Sequence, residues 1–95
     1  MTMEVKNEFN EKRGVFFIEE NGLRIATMTY TFAGPTKFII DHTEVNPGNE
    51  GKGLGKLLVK AGVEFARANN YKIMPLCPYA KSVFDKTKEY QDVLF

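Results

Sequence analysis

The segment VNPGNEGKGLGK, residues 45–56, decides the fold of this chain because the hydrophobic period changes across it. Before it, apolar residues alternate with polar ones, as in strands that bury one face. After it, apolar or small residues recur every three or four positions from Leu54 to Ala66, as on one face of a helix. The segment holds four of the eight glycines. It is therefore predicted to be a loop that joins a strand to a helix.

A glycine-rich loop in front of a helix is typical of an anion site. Free backbone N–H groups and the positive end of the helix dipole attract phosphate there, and Lys52 and Lys56 add positive charge. The segment is not a P-loop, because Gly51-Lys52 is followed by Gly53 rather than Ser or Thr. It also lacks the G-x-G-x-x-G spacing of a dinucleotide site. A flexible turn without a ligand is the alternative.

Four antiparallel strands are predicted before this loop, at residues 5–9, 14–20, 23–32 and 37–45. Asn21-Gly22 predicts a type I′ hairpin, since both of its central positions need a positive φ. In the third strand the even positions are predicted to be buried: Ala26, Met28, Tyr30 and Phe32.

A helix from Leu54, a strand at residues 71–76 and a second helix from Pro78 are predicted after the loop. Asn69-Asn70 suits the C-terminal cap of the first helix. The element order is β-β-β-β-α-β-α, and the crossover helix makes the fourth and fifth strands parallel. The fold class is α+β with a mixed, mostly antiparallel sheet.

Composition excludes several classes of protein and of site. A chain of 95 residues predicts a single compact domain, residues 1–95. A net charge of +1 gives no overall field for nucleic acid or a membrane. A single cysteine excludes an intramolecular disulfide and suits a reducing compartment. One cysteine and one histidine are also fewer than the four Cys or His ligands of a structural zinc site. No apolar run is long enough to span a bilayer, and residues 1–14 lack a signal-peptide core. We therefore expect a cytoplasmic protein without metal.

Residues 50–55, EGKGLG, resemble motif A of the GNAT acyltransferases, which reads Gln/Arg-x-x-Gly-x-Gly/Ala between a strand and a helix. Residues 42–45, HTEV, and residues 76–79, LCPY, look like the minimal, single-domain YjdJ-like members. The resemblance covers nearly the whole chain. It implies a GNAT-like sheet with a parallel pair at the cofactor-binding strands, acetyl-CoA as acyl donor and an amine as acceptor.

The resemblance also implies which residues bind the cofactor. The loop amides would hold the pyrophosphate, and the second helix would contact pantetheine and the adenosine phosphates. Glu50 departs from the family pattern, and since a carboxylate repels pyrophosphate, we expect it to point outward or to pair with a lysine. The implied cofactor residues are Val45, Glu50, Gly51, Lys52, Gly53, Leu54, Gly55, Lys56, Phe84 and Lys86. Phe84 is equally explained as a core residue.

Acetyl transfer from a thioester to an amine needs a proton acceptor for the amine and a proton donor for the leaving thiolate. Strict alternation in the fourth strand predicts that His42 and Glu44 share one face with Phe38 and Ile40. His42 and Glu44 are therefore candidate proton acceptors. A partly exposed strand end without chemistry is the alternative.

Cys77 immediately precedes Pro78 and the second helix, and a thiol at a helix N-terminus has a depressed pKa. It is a candidate acyl-enzyme nucleophile or proton donor to departing coenzyme A, and the compact relatives carry a cysteine here. A buried small hydrophobe is the alternative. Tyr79 is a further candidate proton donor, although the equivalent GNAT tyrosine usually lies further along the helix.

The sequence thus predicts an acetyl-CoA-dependent N-acyltransferase that acts on an unidentified amine, as a monomer or weak dimer. A non-catalytic module that binds coenzyme A or another phosphorylated ligand is the alternative. It is favoured by Glu50 and by the resemblance to the minimal members, which lack much of the helical region that larger relatives use for the acceptor. Nucleic-acid binding through Lys52, Lys56 and Lys60 is not expected, because no aromatic stacking set lies beside these lysines.

Overall fold

The computed structural model describes residues 4–95, so residues 1–3 of the predicted domain lie outside the described residues. The predicted element order is confirmed, and a 3-10 helix that was not predicted follows it. The elements are β1 Val5–Phe9, β2 Arg13–Glu20, β3 Leu23–Phe32, β4 Lys37–Val45, α1 Leu54–Asn69, β5 Lys72–Pro75, α2 Pro78–Lys86 and the 3-10 helix Lys88–Val93.

The strands form one sheet in the order β1-β2-β3-β4-β5, antiparallel except for the parallel pair β4 and β5. The predicted hairpin is confirmed, because Asn21 and Gly22 have φ angles of 54° and 78°. Asn70 caps α1 in the left-handed conformation, with a φ of 58°. Since α1 crosses over the sheet, β5 can lie parallel to β4.

The helices and the sheet enclose one hydrophobic core. The predicted alternation of β3 is confirmed, because Ala26, Met28 and Tyr30 are buried and Phe32 packs against the core. The Tyr30 hydroxyl donates a hydrogen bond to Asn7 Oδ1 at 2.6 Å, so its one polar atom is satisfied. Gly62 of α1 lies above Met28, which brings the helix close to the sheet.

The pairing of β4 with β3 is interrupted by a β-bulge. Tyr30 lies opposite Ile40, but the preceding Thr29 lies opposite His42, so Asp41 has no partner of its own. A single inserted residue transfers every later side chain to the other face of the sheet. The second half of β4 therefore presents the opposite set of side chains from the one that strict alternation predicts.

The prediction that His42 and Glu44 share a face with the buried start of β4 is consequently wrong. Both side chains lie on the face away from the helices, and they are 65% and 68% exposed. Thr43 and Val45 turn toward the helices instead, opposite the buried Met28 and Ala26 respectively.

The C-terminal segment closes the far edge of the sheet. The Arg67 guanidinium of α1 forms an ion pair with Asp92 at 2.8 Å and also donates to the Glu89 carbonyl. Leu94 pairs with Ile73 of β5 in an isolated bridge, so the apolar tail lies beside that strand.

Candidate functional site

The pairing of β4 and β5 ends abruptly. The last paired residues are Ile40 and Pro75, and the N–H groups of Leu76 and Cys77 then both donate to the Ile40 carbonyl, at 3.1 and 3.2 Å. Beyond this point β4 continues beside β3, whereas the chain after β5 enters α2. Within residues 4–95, no strand pairs with this edge of β4 past Ile40. A wedge-shaped opening results, with β4 on one side and the start of α2 on the other.

The glycine loop forms a groove next to this opening, with a volume of about 440 Å³. Gly51 and Gly53 have φ angles of 83° and 74°, in the left-handed region that favours glycine. The residues that line the groove are Val45, Asn49, Glu50, Gly51, Gly53, Leu54, Gly55, Lys56 and Tyr79. Seven of the ten predicted cofactor residues are thus brought together, and Tyr79 joins them from α2.

The N-terminus of α1 opens into this groove. Gly53 is its N-cap and makes no side-chain hydrogen bond, and the first turn of the helix contains no acidic residue. The first N–H groups of an α-helix have no partner within the helix. The positive end of the α1 dipole is therefore free to hold an anion.

Glu50 and Lys52 are both held by the loop itself. Gly48 N–H donates to Glu50 Oε2 at 2.8 Å, and Lys52 Nζ donates to Asn49 Oδ1 at 3.1 Å. Glu50 is exposed as predicted, but its carboxylate is bound by a backbone N–H group rather than by a lysine. Lys56 rather than Lys52 lines the groove.

The Tyr79 ring packs directly on the first turn of α1. A Cβ atom at Gly55 would lie only 2.6 Å from Tyr79 Oη, so glycine is required for this close approach. Burial raises the pKa of the Tyr79 phenol, and negative charge at Cys77 raises it further. The phenol therefore stays protonated at neutral pH and is available as a hydrogen-bond donor.

Cys77 is the N-cap of α2 and is only 5% exposed. Its thiol donates a hydrogen bond to Thr43 Oγ1 at an Sγ–Oγ1 distance of 3.5 Å. Burial raises the pKa of the thiol, but hydrogen bonds from Thr43 and from the backbone of Ala80 and Tyr79 lower it by more. The pKa of Cys77 consequently lies below its ordinary value, as expected for a thiol at a helix N-terminus.

The structure does not bring His42 and Glu44 to Cys77. The two side chains form an exposed pair with each other, His42 Nε2 to Glu44 Oε1 at 3.2 Å, on the opposite face of the sheet. Their assignment as proton acceptors remains a prediction, and their placement gives it no support.

Phe84 and Lys86 also lie outside the groove. Phe84 is 1% exposed and packs edge-to-face on Tyr90, with ring centroids 5.9 Å apart, so it is a core residue. Lys86 occupies the last turn of α2. At a rise of about 1.5 Å per residue, it lies about 12 Å along the helix from Pro78. Their predicted contacts with the cofactor are therefore unsupported.

Sequence reasoning missed two residues of the site, Asn49 and Thr43. Asn49 carried no signal beyond its place in the loop. Thr43 carried a weak one: in the second half of β4 the charged or ionisable residues fall at 41, 42 and 44, and the neutral ones at 43 and 45. Such a change of phase is what a β-bulge produces.

Residues 4–95 contain no group of three or more His, Cys, Asp or Glu side chains arranged to hold a metal ion. In the same part of the chain, neither helix has the length and apolar character needed to cross a membrane.

Comparison with known proteins gives a consistent result. The family model described as GCN5-related N-acetyl-transferase matches residues 15–93. Protein NATD1 of Xenopus tropicalis is 30% identical over 76 residues, which are 79% of this chain and 70% of that protein.

Solved structures are similar over most of the fold. A GCN5-like protein from Staphylococcus aureus is 39% identical, with a TM-score of 0.74 and coverage of 98% of this chain and 88% of that one. A ribosomal-protein-alanine N-acetyltransferase from Brucella melitensis is 14% identical, with a TM-score of 0.70 and coverage of 81% and 62%. A Clostridium acetobutylicum protein solved with acetyl-CoA is 24% identical, with a TM-score of 0.64 and coverage of 78% and 55%. The latter two likenesses concern the fold alone.

Proposed function

Because this chain belongs to the GCN5-related N-acetyltransferase family, we propose that it transfers the acetyl group of acetyl-CoA to an amine. One observation carries the proposal: the groove at the N-terminus of α1 is lined by Val45 of β4 and Tyr79 of α2, and Cys77, two residues before Tyr79, contacts Thr43, two residues before Val45. A substrate with a phosphate group and a thioester at opposite ends matches this arrangement.

The loop is the proposed pyrophosphate site. Backbone N–H groups at Gly53 and the first turn of α1 would donate to the phosphate oxygens, and Lys56 would add a mobile positive charge. Lys52 is attached to Asn49 and would contribute less. Glu50 opposes binding electrostatically, but its carboxylate is held and stabilised by the Gly48 N–H group within the loop. The pantetheine arm would then follow the open edge of β4 toward Cys77.

Cys77 is the proposed acetyl acceptor on the protein. The Cys77 thiol first loses its proton to solvent, which its lowered pKa favours. The thiolate attacks the carbonyl carbon of acetyl-CoA, the carbon–sulfur bond to coenzyme A breaks, and coenzyme A leaves as a thiolate that takes a proton from the Tyr79 phenol. The neutral amine then attacks the acetyl-cysteine, forming the amide bond as the bond to Cys77 sulfur breaks. The proton lost by the nitrogen returns to the Tyr79 phenolate, so that Tyr79 is again a phenol and Cys77 again a thiolate.

Calorimetric titration with acetyl-CoA and with coenzyme A separates this proposal from simple ligand binding. We expect saturable binding of both, followed by release of free coenzyme A thiol when an amine is added to the acetyl-CoA complex. Peptides with a free N-terminus, polyamines and small amino metabolites cover the acceptor classes. Binding of both ligands without thiol release for any amine would identify a non-catalytic coenzyme A module. No binding of either would overturn both interpretations.

Mass spectrometry identifies the reacting sulfur directly. After brief exposure to acetyl-CoA without an amine, the peptide that contains Cys77 should gain the mass of one acetyl group. Because Cys77 is the sole cysteine of the chain, the assignment is unambiguous. If turnover occurs without this intermediate, the role that remains for Cys77 is to protonate the departing coenzyme A thiolate.

A further inference from the structure

We propose that Thr43 is the positioning residue for Cys77: its hydroxyl group orients the thiol and donates a hydrogen bond to the thiolate when the thiol ionises. The hydrogen-bond role stands on the geometry of the two side chains. Its consequence for acetyl transfer rests on the proposed function.

The β-bulge of β4 makes this pair. If β4 continued past Ile40 in strict alternation, with Asp41 paired like any other residue, Thr43 would face away from the helices and His42 would face them. The Thr31 hydroxyl donates to Asp41 Oδ2 at 2.7 Å, which holds the bulged residue on the outer face. Thr43 therefore lies on the inner face, two residues before Val45 of the groove wall and 3.5 Å from the Cys77 sulfur.

A threonine hydroxyl suits both ionisation states of the thiol. The thiol now donates to Thr43 Oγ1, and because a hydroxyl is also a donor that can rotate about its C–O bond, it can donate to the sulfur after ionisation. Backbone groups of Tyr79 and Ala80 at the start of α2, and of Thr43 itself, also lower the pKa of the thiol by hydrogen bonding. Thr43 and these backbone groups thus fix the thiolate between β4 and α2.

Few other charged side chains face the Cys77 thiol and could affect its ionisation. From α2, α1 and the glycine loop, the titratable groups in the adjoining groove are Tyr79, Lys56 and Glu50, and the Glu50 carboxylate is bound by the Gly48 N–H group. From β4, the ionisable His42 and Glu44 are on the other face. The end of β5 nearest the thiol, residues 74–76, is uncharged.

The 3-10 helix contacts α2 at Phe84, where Gln91 Nε2 donates to the Phe84 carbonyl at 2.8 Å, seven residues along the chain from Cys77. Asp92 of the 3-10 helix is paired with Arg67 of α1, and the Glu89 carbonyl accepts from the same guanidinium. This leaves the Thr43 hydroxyl as the side-chain hydrogen-bond partner that sets the state of Cys77 within the described residues.

The rate of Cys77 alkylation by iodoacetamide, followed as a function of pH without any ligand, tests the inference. We expect Thr43→Val, which keeps the shape and removes the hydroxyl, to move the alkylation profile to higher pH. At neutral pH the rate should fall about tenfold, the factor for one lost hydrogen bond to a charged group. Thr43→Ser keeps the hydroxyl and should stay within about twofold of wild type, since the same bond can form. Thr27→Val, on the outer face of β3, is the matched control and should leave the profile unchanged.

Thermal unfolding checks that each variant is folded, and Thr43→Ala supplies the same loss of the hydroxyl if the valine does not fit. With an acetyl-transfer assay in hand, Thr43→Val should lower kcat and leave the KM for acetyl-CoA near wild type, whereas a merely structural role would change both. Wild-type alkylation rates in Thr43→Val or Thr43→Ala would overturn the inference and leave the proposed function standing. An alkylation shift in a chain that does not bind coenzyme A would instead keep the inference and reject the proposed function.

Discussion

The glycine loop at residues 46–53 and the second half of β4, residues 41–45, are adjacent in the chain but differ in what determines their shape. The loop takes its form from the residues inside it, because Gly48, Gly51 and Gly53 all adopt positive φ angles that other residues disfavour. The strand end takes its form from a neighbour, because the register with β3 determines which of its side chains face the helices.

This difference separates two kinds of site residue. The loop amides act through the backbone, so a local sequence pattern is enough to locate them. Thr43 acts through its side chain, and its direction depends on a one-residue irregularity in a partner strand that is distant in sequence. The loop binds the ligand and the strand end sets the chemistry in the proposed function. Variants that affect one without the other test whether this division holds.

The largest expected effect is on turnover, at Cys77. Cys77→Ala should lower the rate of acetyl transfer by at least about a hundredfold, since a group that reacts directly typically contributes that much or more. The affinity for coenzyme A should change little, because the loop is untouched. Rates of thiol release and calorimetric titration measure the two quantities. A variant that retains wild-type turnover would remove Cys77 from the mechanism.

The next effect is on binding, at Gly55. Gly55→Ala would place a Cβ atom 2.6 Å from Tyr79 Oη, so the ring must move and the groove must change shape. We expect coenzyme A affinity to fall about tenfold, the factor for roughly 1.4 kcal/mol of lost fit. Gly48→Ala is the control for loss of a glycine from the loop: it strains the backbone at a φ of 91° but meets no atom within 4 Å, whereas Gly55 has no positive φ and its alanine would meet the Tyr79 ring.

Removal of the Tyr79 ring should relieve the effect of Gly55→Ala. In a Tyr79→Ala background, Gly55→Ala should lower the affinity for coenzyme A little further. A double-mutant cycle measures this coupling between the two positions directly. Fully additive losses would contradict the close packing of the ring on α1.

A smaller effect is expected from the lysine charge. Lys56→Ala should weaken coenzyme A binding about three- to fivefold at low salt, as for one exposed charge near an anion at a helix N-terminus. Lys60→Ala, one turn further along α1 and outside the groove, is the matched control and should have no effect. Equal losses for the two variants would indicate a general charge effect rather than a site.

The smallest effect is expected on the outer face of β4. His42→Ala and Glu44→Gln should each keep kcat within about threefold of wild type, because surface positions away from the reacting groups contribute little. A large loss in either, with an altered pH profile of kcat, would show that the amine reacts from that face and that strict alternation had named the right residues after all.

Most of the fold followed from patterns that act over a few residues. The period of β3, the Asn21-Gly22 hairpin, and the Asn69-Asn70 end of α1 all depend on local backbone preferences or on a single buried face. The parallel pairing of β4 and β5 followed from the crossover helix. The 3-10 helix could not be predicted from such patterns, because it depends on contacts of Arg67 of α1 with Asp92 and Glu89 across the fold.

The candidate site, like the fold, could be predicted only where patterns over a few residues determine it. Its loop was found because glycine spacing before a helix has a direct physical meaning, and Cys77 because a helix start follows it. Phe84 could not be assigned from sequence, since an apolar residue on a helix suits a ligand and a core equally, and only tertiary packing against Tyr90 decides.

Protection of Cys77 from alkylation by coenzyme A tests most directly whether the loop and the thiol belong to one site. With coenzyme A at saturation, iodoacetamide should modify Cys77 at least about tenfold more slowly, because a bound pantetheine arm would fill the opening beside the thiol. The half-maximal effect should occur at the Kd measured by calorimetry. If coenzyme A binds but Cys77 is alkylated at the unliganded rate, the loop and the thiol are separate features, and the proposed mechanism is wrong.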